Sequence, residues 1–234
     1  LCFGYADPRF NRTMDVLKEA DVVLQVGVPL DFHLFFGSPK LFANDVKFVQ
    51  LERDAAGVGI MRAASAVLLG PLDASLRHVV DIDTRNRDKK ARAAWLDKAR
   101  EIHRVHQKEW ETHDAEAASD PTTIHPFQIC RSLDRHLTDR TAIMIDAGDF
   151  VHWPRIYFGA RAPGHFMDGS ALGTLGPALP MGIATQMAYP DDPVWVFQGD
   201  GGFTYSAWDL CTAVEHNLPI KVIVGHDAAW GIEL

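Results

Sequence analysis

Residues 194–231 read VWVFQGDGGFTYSAWDLCTAVEHNLPIKVIVGHDAAWG. Val194–Gln198 is a short apolar run, Tyr205–His216 reads as a helix, and Ile220–Val224 is a second apolar run. Continuous β-branched and aromatic runs of this length fit strands buried on both faces, and one helix between them fits a parallel crossover. Each run ends near a glycine and an aspartate, Asp200 in the first case and Asp227, 27 residues on, in the second. In a parallel sheet the carboxyl ends of neighbouring strands gather at one edge, where ligands bind. The two acids are therefore expected side by side.

The same alternation extends in both directions. Upstream, Phe127–Leu137 reads as a helix and Thr141–Ile145 as a strand running into Asp146-Ala147-Gly148-Asp149. A glycine-rich turn over 169–176 opens a helix at about Leu179–Ala188. Further upstream, Asp21–Gly27, Val46–Leu51 and Ala66–Leu69 are apolar runs spaced by segments such as Thr13–Ala20, expected to be a helix. Between the two regions the composition turns charged and alanine-rich. Trp95, Ala99 and Ile102 share one face of a helix there, and Ser119-Asp120-Pro121 stops it. The expected fold is α/β with two doubly wound parallel-sheet domains. Residues 1–83 form a Rossmann-like domain, 84–120 a helical linker and 121–234 a ligand-binding domain.

Composition bounds the partners. The 234 residues are 47% hydrophobic and 23% charged, as in a globular protein, and the formal net charge of -8 argues against nucleic acid or an anionic membrane as partner. There is no apolar run long enough to span a bilayer and no signal peptide. Cys2, Cys130 and Cys211 are odd in number and widely spaced, which is neither a disulfide framework nor a metal motif. They suit a reducing cytoplasm, with Cys211 expected as a small core residue. The chain opens with Leu1 in loop-like sequence and reads as a fragment.

A GDG triplet alone is a common turn. The joint pattern of strand, Gly199-Asp200-Gly201-Gly202, helix, strand and acid is far more specific. Few, hard oxygen ligands suit Mg²⁺, which keeps positions for phosphate and water. The bare backbones of Gly201 and Gly202 allow close approach of a phosphate, and a helix beginning near Tyr205 adds its positive end. The expectation is a diphosphate held through a metal.

Residues 194–233 resemble the cofactor motif of the thiamine diphosphate (ThDP) enzymes of the acetolactate synthase, benzoylformate decarboxylase and pyruvate oxidase superfamily. The resemblance implies Asp200 and Asp227 as side-chain ligands of Mg²⁺ and Ala229 as a ligand through its carbonyl, with Gly201, Gly202, Trp230 and Gly231 around the cofactor. His226-Asp227 stands where the family usually has Asn-Asn, so His226 takes the non-ligating position. Leu172-Gly173-Thr174-Leu175-Gly176 is similar to the segment that contacts the cofactor rings. It implies the Gly173 carbonyl as acceptor for the pyrimidine amino group and Leu175 as the wedge that bends the cofactor. Asp146-Ala147-Gly148-Asp149-Phe150 resembles the loop beside the diphosphate, which assigns the backbone of Gly148 and Asp149; His152 and His165 are candidates to face the same pocket. Gly27-Val28-Pro29-Leu30-Asp31 and Gln50–Asp54 resemble the family's central domain, which binds FAD in acetolactate synthases. No GxGxxG turn is present, which argues against NAD; FAD stays open.

What the resemblance implies is an acetolactate synthase-like carboligase or decarboxylase acting on 2-oxo acids. A different ThDP decarboxylase, a 2-hydroxyacyl-CoA lyase and a non-catalytic ThDP-binding subunit are the alternatives. The family's activating glutamate belongs to an N-terminal domain supplied by a partner subunit. The chain by itself is therefore expected to be catalytically silent, and a homodimer or homotetramer is implied.

Overall fold

The computed structural model describes residues 2–82, 89–117, 122, 124–169 and 172–231. Backbone packing divides the chain into two compact units, 1–110 and 111–234. Both are α/β, each with a wholly parallel sheet.

In the first unit, β1 (Val22–Val26), β2 (Lys47–Glu52) and β3 (Ala64–Leu69) pair in sequential order. The connections are short: 3-10 turns at Phe32–Gly37 and Ala55–Gly57, with α1 (Leu72–Ile82) following β3. The expected helix at Thr13–Ala20 is a 3-10 helix at Arg12–Glu19, capped by the Asn11 side chain. Phe48 of β2 packs with Leu30, Leu41, Phe42 and Val46 in a buried cluster. Only β2 is largely buried; Val22, Leu24, Val67 and Leu69 on β1 and β3 are exposed. Burial on both faces, expected for all three strands, thus fails for β1 and β3, because single 3-10 turns cover less sheet than full crossover helices.

The charged stretch forms the long helix α2 (Lys89–Ala117). Ala99 is buried and Trp95 and Ile102 are half-buried on one face, as the spacing predicts. Within the first unit, Thr13 Oγ1 lies 3.1 Å from His103 Nδ1, and Arg12 pairs with Glu109 at 2.6 Å. The expected stop at Ser119-Asp120-Pro121 lies outside the described residues.

The second unit carries α3 (Pro126–Asp134), β4 (Ala142–Ile145), α4 (His152–Tyr157), β5 (Phe166–Asp168), α5 (Ala178–Ala188), β6 (Val194–Gly199), α6 (Asp200–Ser206), α7 (Asp209–Glu215) and β7 (Lys221–Gly225). The strand order is β5-β4-β6-β7. β4 and the apolar run of β6 are fully buried because each face is covered. Ile143, Ile145, Trp195 and Phe197 pack in one cluster with Cys130, Val151 and Phe158. Ala142, Met144, Val194 and Val196 pack in another with Ala178 and Leu179. α5 sits so close that a Cβ on Gly182 would stand 2.5 Å from Val196 Cγ2.

Two expectations are corrected by this packing. The helix expected from Tyr205 begins at Asp200 and breaks at Ala207–Trp208 into α6 and α7. The apolar periodicity begins later than the helix does, since glycines contribute nothing to it. Cys211 is exposed, not core, because it lies on the outer side of α7, where Val214 is exposed as well. Cys130 is the buried thiol, pushed up to about 12 by desolvation, and is therefore unreactive.

His165 lies at the amino end of β5, far along the sheet from the strand ends that carry Asp200. Its Nε2 is 2.8 Å from Asp192 Oδ2 and its Nδ1 is 3.0 Å from the Pro163 carbonyl. Both ring nitrogens face acceptors, so both must donate, and only the imidazolium can do that. The Asp192 carboxylate, and then the Pro163 carbonyl, raise the His165 pKa; the hydrogen bond from His165 lowers that of Asp192. A raised histidine pKa contributes stability that is full below the unfolded value of about 6.5 and is lost as pH rises through the folded value. The stability difference between the native chain and His165→Gln should therefore shrink as pH rises from 5.5 to 8.5 in denaturant melts. A difference constant across that range would show that His165 folds neutral.

Candidate functional site

Between β4 and β6 the chain changes direction across the sheet: β5 lies on one side of β4, β6 and then β7 on the other. Such a switch point opens a crevice at the carboxyl ends of the strands. Here the crevice is a cleft of about 860 Å³.

The pairing of β6 with β7 brings Gly199 opposite Gly225, and so places Asp200 and the loop 226–231 beside each other. Asp200 is the first residue of α6, with Gly199 as its N-cap. Gly201 and Gly202 therefore lie in the first helical turn, where backbone N–H groups have no partner within the helix. The loop after β7 reverses through Ala228, which has a positive φ of 58°. It brings Trp230 back over Gly201: a Cβ there would lie 2.7 Å from Trp230 Nε1. Gly231 faces Asp227 and Asp149 at ordinary contact distance.

Apart from Gly173 and the two candidate histidines, the predicted site residues line this cleft. From β6 and its helix come Asp200, Gly201 and Gly202; from the β7 loop, Asp227, Ala229, Trp230 and Gly231; from the opposite wall, Gly148, Asp149 and Leu175. Gly173 is exposed, in a left-handed conformation with φ of 58°, and lies outside the lining. His152 and His165 do not line the cleft. His152 Nδ1 is 3.0 Å from Arg155 Nη1, while His165 is held by Asp192.

Sequence reasoning passed over the apolar side of the cleft, formed by Ile124, Pro126, Ile129, Phe150, Trp153 and Val224, with His125 among them. The His125 and Trp153 rings meet edge to face at 4.4 Å. It also passed over Asp146, which is fully buried. The signal for Asp146 was available: it follows an apolar strand directly, as Asp200 does.

The electrostatics centre on Asp200. Its Oδ1 accepts from the Gly201 N–H at 2.7 Å. Its Oδ2 accepts from the Ala228 N–H at 2.9 Å and lies 2.7 Å from His226 Nδ1. Desolvation acts to raise the Asp200 pKa, but these hydrogen bonds, His226 first, outweigh it and hold the group below the usual carboxylate value. Asp227 Oδ1 accepts from the Ala229 N–H at 3.0 Å. Among the described residues no three His, Cys, Asp or Glu side chains converge on one metal position. The oxygens of Asp200, Asp227 and the backbone carbonyls beside them are instead of the hard kind that a Mg²⁺-like cation takes alongside phosphate and water. The residues fit such a group, with His226 on Asp200 as a neighbour the ion would meet.

The family described as "Thiamine pyrophosphate enzyme, C-terminal TPP binding domain" matches residues 146–233. A protein named probable acetolactate synthase from Mycobacterium bovis is 29% identical over 225 residues, covering 96% of this chain and 39% of that protein. Human 2-hydroxyacyl-CoA lyase 2 is 28% identical over 226 residues, covering 95% of this chain and 34% of the relative. A probable acetolactate synthase large subunit from Methanococcus aeolicus is 24% identical over 229 residues, 92% of this chain and 37% of the relative. The chain thus spans well under half the length of these relatives.

One contact ties the 147–150 loop to the end of β7. A Cβ at Gly225 would stand 2.3 Å from the Phe150 ring, and Phe150 packs on the buried cluster of Ile145 and Phe197. Gly225→Ala should push that ring off the strand and cost about 1–3 kcal/mol, the usual range for overpacking. Denaturant unfolding measures it; an unchanged midpoint would mean that Phe150 does not hold this loop.

Proposed function

We propose that this chain, similar over nearly its whole length to proteins named as acetolactate synthase and 2-hydroxyacyl-CoA lyase and matched by the thiamine pyrophosphate enzyme C-terminal domain family over residues 146–233, binds ThDP and Mg²⁺ in the cleft and works on 2-oxo acids as an acetolactate synthase-like enzyme. The observation that carries this reading is the convergence of Asp200, Gly201, Gly202 and Asp227 at the paired ends of β6 and β7, with Leu175 on the facing wall. Asp200 and Asp227 would hold the cation, with the Ala229 carbonyl as third ligand. The N–H groups of the first turn of α6 and the backbone of Gly148 and Asp149 would face the diphosphate. When bound, ThDP supplies the thiazolium that accepts the electron pair released on decarboxylation. Leu175 is half-buried, and a Cβ on Gly148 would lie 4.0 Å from its Cδ2. That position suits an apolar support beneath a bent cofactor, and the Gly173 carbonyl is the proposed acceptor at the exposed rim.

The relatives named as 2-hydroxyacyl-CoA lyases favour a second reading, cleavage of a 2-hydroxyacyl thioester at the same cofactor. Assaying the full-length protein for acetolactate from pyruvate and for cleavage of a 2-hydroxyacyl-CoA separates the two. FAD in the first unit rests on the resemblance alone. By the same relationship the proposed assembly is a homodimer or homotetramer. The free cysteines support a reducing, cytoplasmic setting; among the described residues no helix is long and apolar enough to cross a membrane.

Asp200→Ala in the full-length protein should weaken ThDP binding at fixed Mg²⁺ by more than about 100-fold, beyond what loss of an outer-shell partner causes. Asp227→Asn keeps a ligating oxygen and should stay within about tenfold of the native affinity on the same scale. Calorimetric titration decides, and near-native affinity in Asp200→Ala would remove the metal site.

Leu175→Ala should lower turnover of the folded fraction more than stability. A side chain that only fills core would cost about 2–5 kcal/mol of stability and leave turnover normal.

A further inference from the structure

We propose that the Asp146 carboxylate, paired with the Gln198 amide, is a positioning group that holds three separate segments of the cleft wall in one geometry. The segments are the 147–150 loop, the turn ending at Leu175-Gly176, and the glycine-rich start of α6. What the cleft binds is taken from the cofactor reading above; the positioning role itself stands on contacts.

Asp146 follows β4 directly and is fully buried. Its Oδ1 accepts from the Ala147 N–H at 2.7 Å and from the Gly176 N–H at 2.8 Å. Its Oδ2 accepts from Gln198 Nε2. Gln198 is the last side chain of β6 before Gly199, is itself fully buried, and reaches Ser206 Oγ at 3.2 Å at the far end of α6. Gly202 lies against the same carboxyl group, where a Cβ would meet it at the ordinary contact distance of 3.4 Å. From the other side, Arg155 Nη2 donates to the Asp146 carbonyl at 3.1 Å while its Nε donates to Asp168 Oδ2 at 3.2 Å. One carboxylate thus joins the ends of β4 and β6 to the turn before α5, three points far apart in sequence.

The placement is costly. A buried carboxylate forfeits hydration and is tolerated only when its oxygens are satisfied, and an apolar residue at this point would complete the core without that cost. What the carboxylate adds is direction, because each bond fixes a backbone N–H or a side chain at one angle. Asp146 and Gln198 do not line the cleft, but Ala147, bonded to Asp146, and Leu175, next in chain to the bonded Gly176, do, as does Gly202, which lies against the Asp146 carboxyl group. The pair therefore acts through the wall. A shift of that wall by an ångström is enough to spoil the alignment of a bound reactant.

The test uses Asp146→Ala, Asp146→Asn and Gln198→Met in the full-length protein, read by ThDP affinity at fixed Mg²⁺ and by amide hydrogen exchange without ligand. Asp146→Ala and Gln198→Met should weaken ThDP about 10–100-fold, as loss of an outer-shell partner does. Asp146→Asn keeps an acceptor for Gly176 and Ala147, and the Gln198 amide can turn to meet its NH₂ group; it should stay within about threefold, below that range. In the two disruptive variants, exchange at 172–178 and 199–206 should quicken together while β7 stays protected. Native affinity in both disruptive variants, or exchange raised evenly over the whole unit, would overturn the proposal and leave Asp146 a plain core contact. If native protein binds no ThDP but the coordinated loosening is seen, the cofactor reading fails and the positioning role stands.

Discussion

The parallel pairing of β6 between β4 and β7 is the constraint on which the second unit depends. β6 is buried on both faces, so its backbone groups have no water to turn to and must be met by neighbouring strands. Once Phe197 pairs with Ile145 on one side and Ile223 on the other, the residues just beyond each strand have no choice of location. Asp146, Asp200 and the 226–231 loop are delivered to one edge by register alone. The helices then close the faces, α3 and α4 with one cluster and α5 with the other.

That edge collects negative charge, and the chain answers it differently at each acid. Asp146 is satisfied inward by backbone N–H groups and an amide, with no cation on its carboxylate among the described residues. Asp200 is turned to the cleft, where His226 and two N–H groups keep it ionised. The contrast follows from burial. A group inside the wall can serve only through the geometry it imposes, whereas a half-solvated carboxylate at a helix start remains available to an incoming cation. The opposite end of the sheet shows a third solution, a buried ion pair of His165 and Asp192 closed by Arg140.

The first unit is built more loosely. Its strands repeat the apolar runs of the second, but the segments between them are single 3-10 turns, and two of its three strands expose large apolar residues. Runs of similar hydrophobicity thus reach different burial, because burial depends on what the intervening chain can cover.

By itself the sequence determined the parallel α/β character of both regions, the place of nearly every strand, and the residues at the strand ends that form the cleft. Those readings rest on local rules: period, glycine at the close of an apolar run, an acid just beyond. It determined also that Asp200 and Asp227 belong together, since one helix between two parallel strands allows little else. Tertiary structure alone decided that α6 starts at Asp200, that Cys211 faces outward while Cys130 is core, and that His152 and His165 turn away from the cleft. It alone made Asp146, Gln198 and Gly176 neighbours. These outcomes turn on which faces are covered and on contacts between residues 30 and 52 positions apart, and no short-range pattern in a chain encodes the partner that arrives from so far along it.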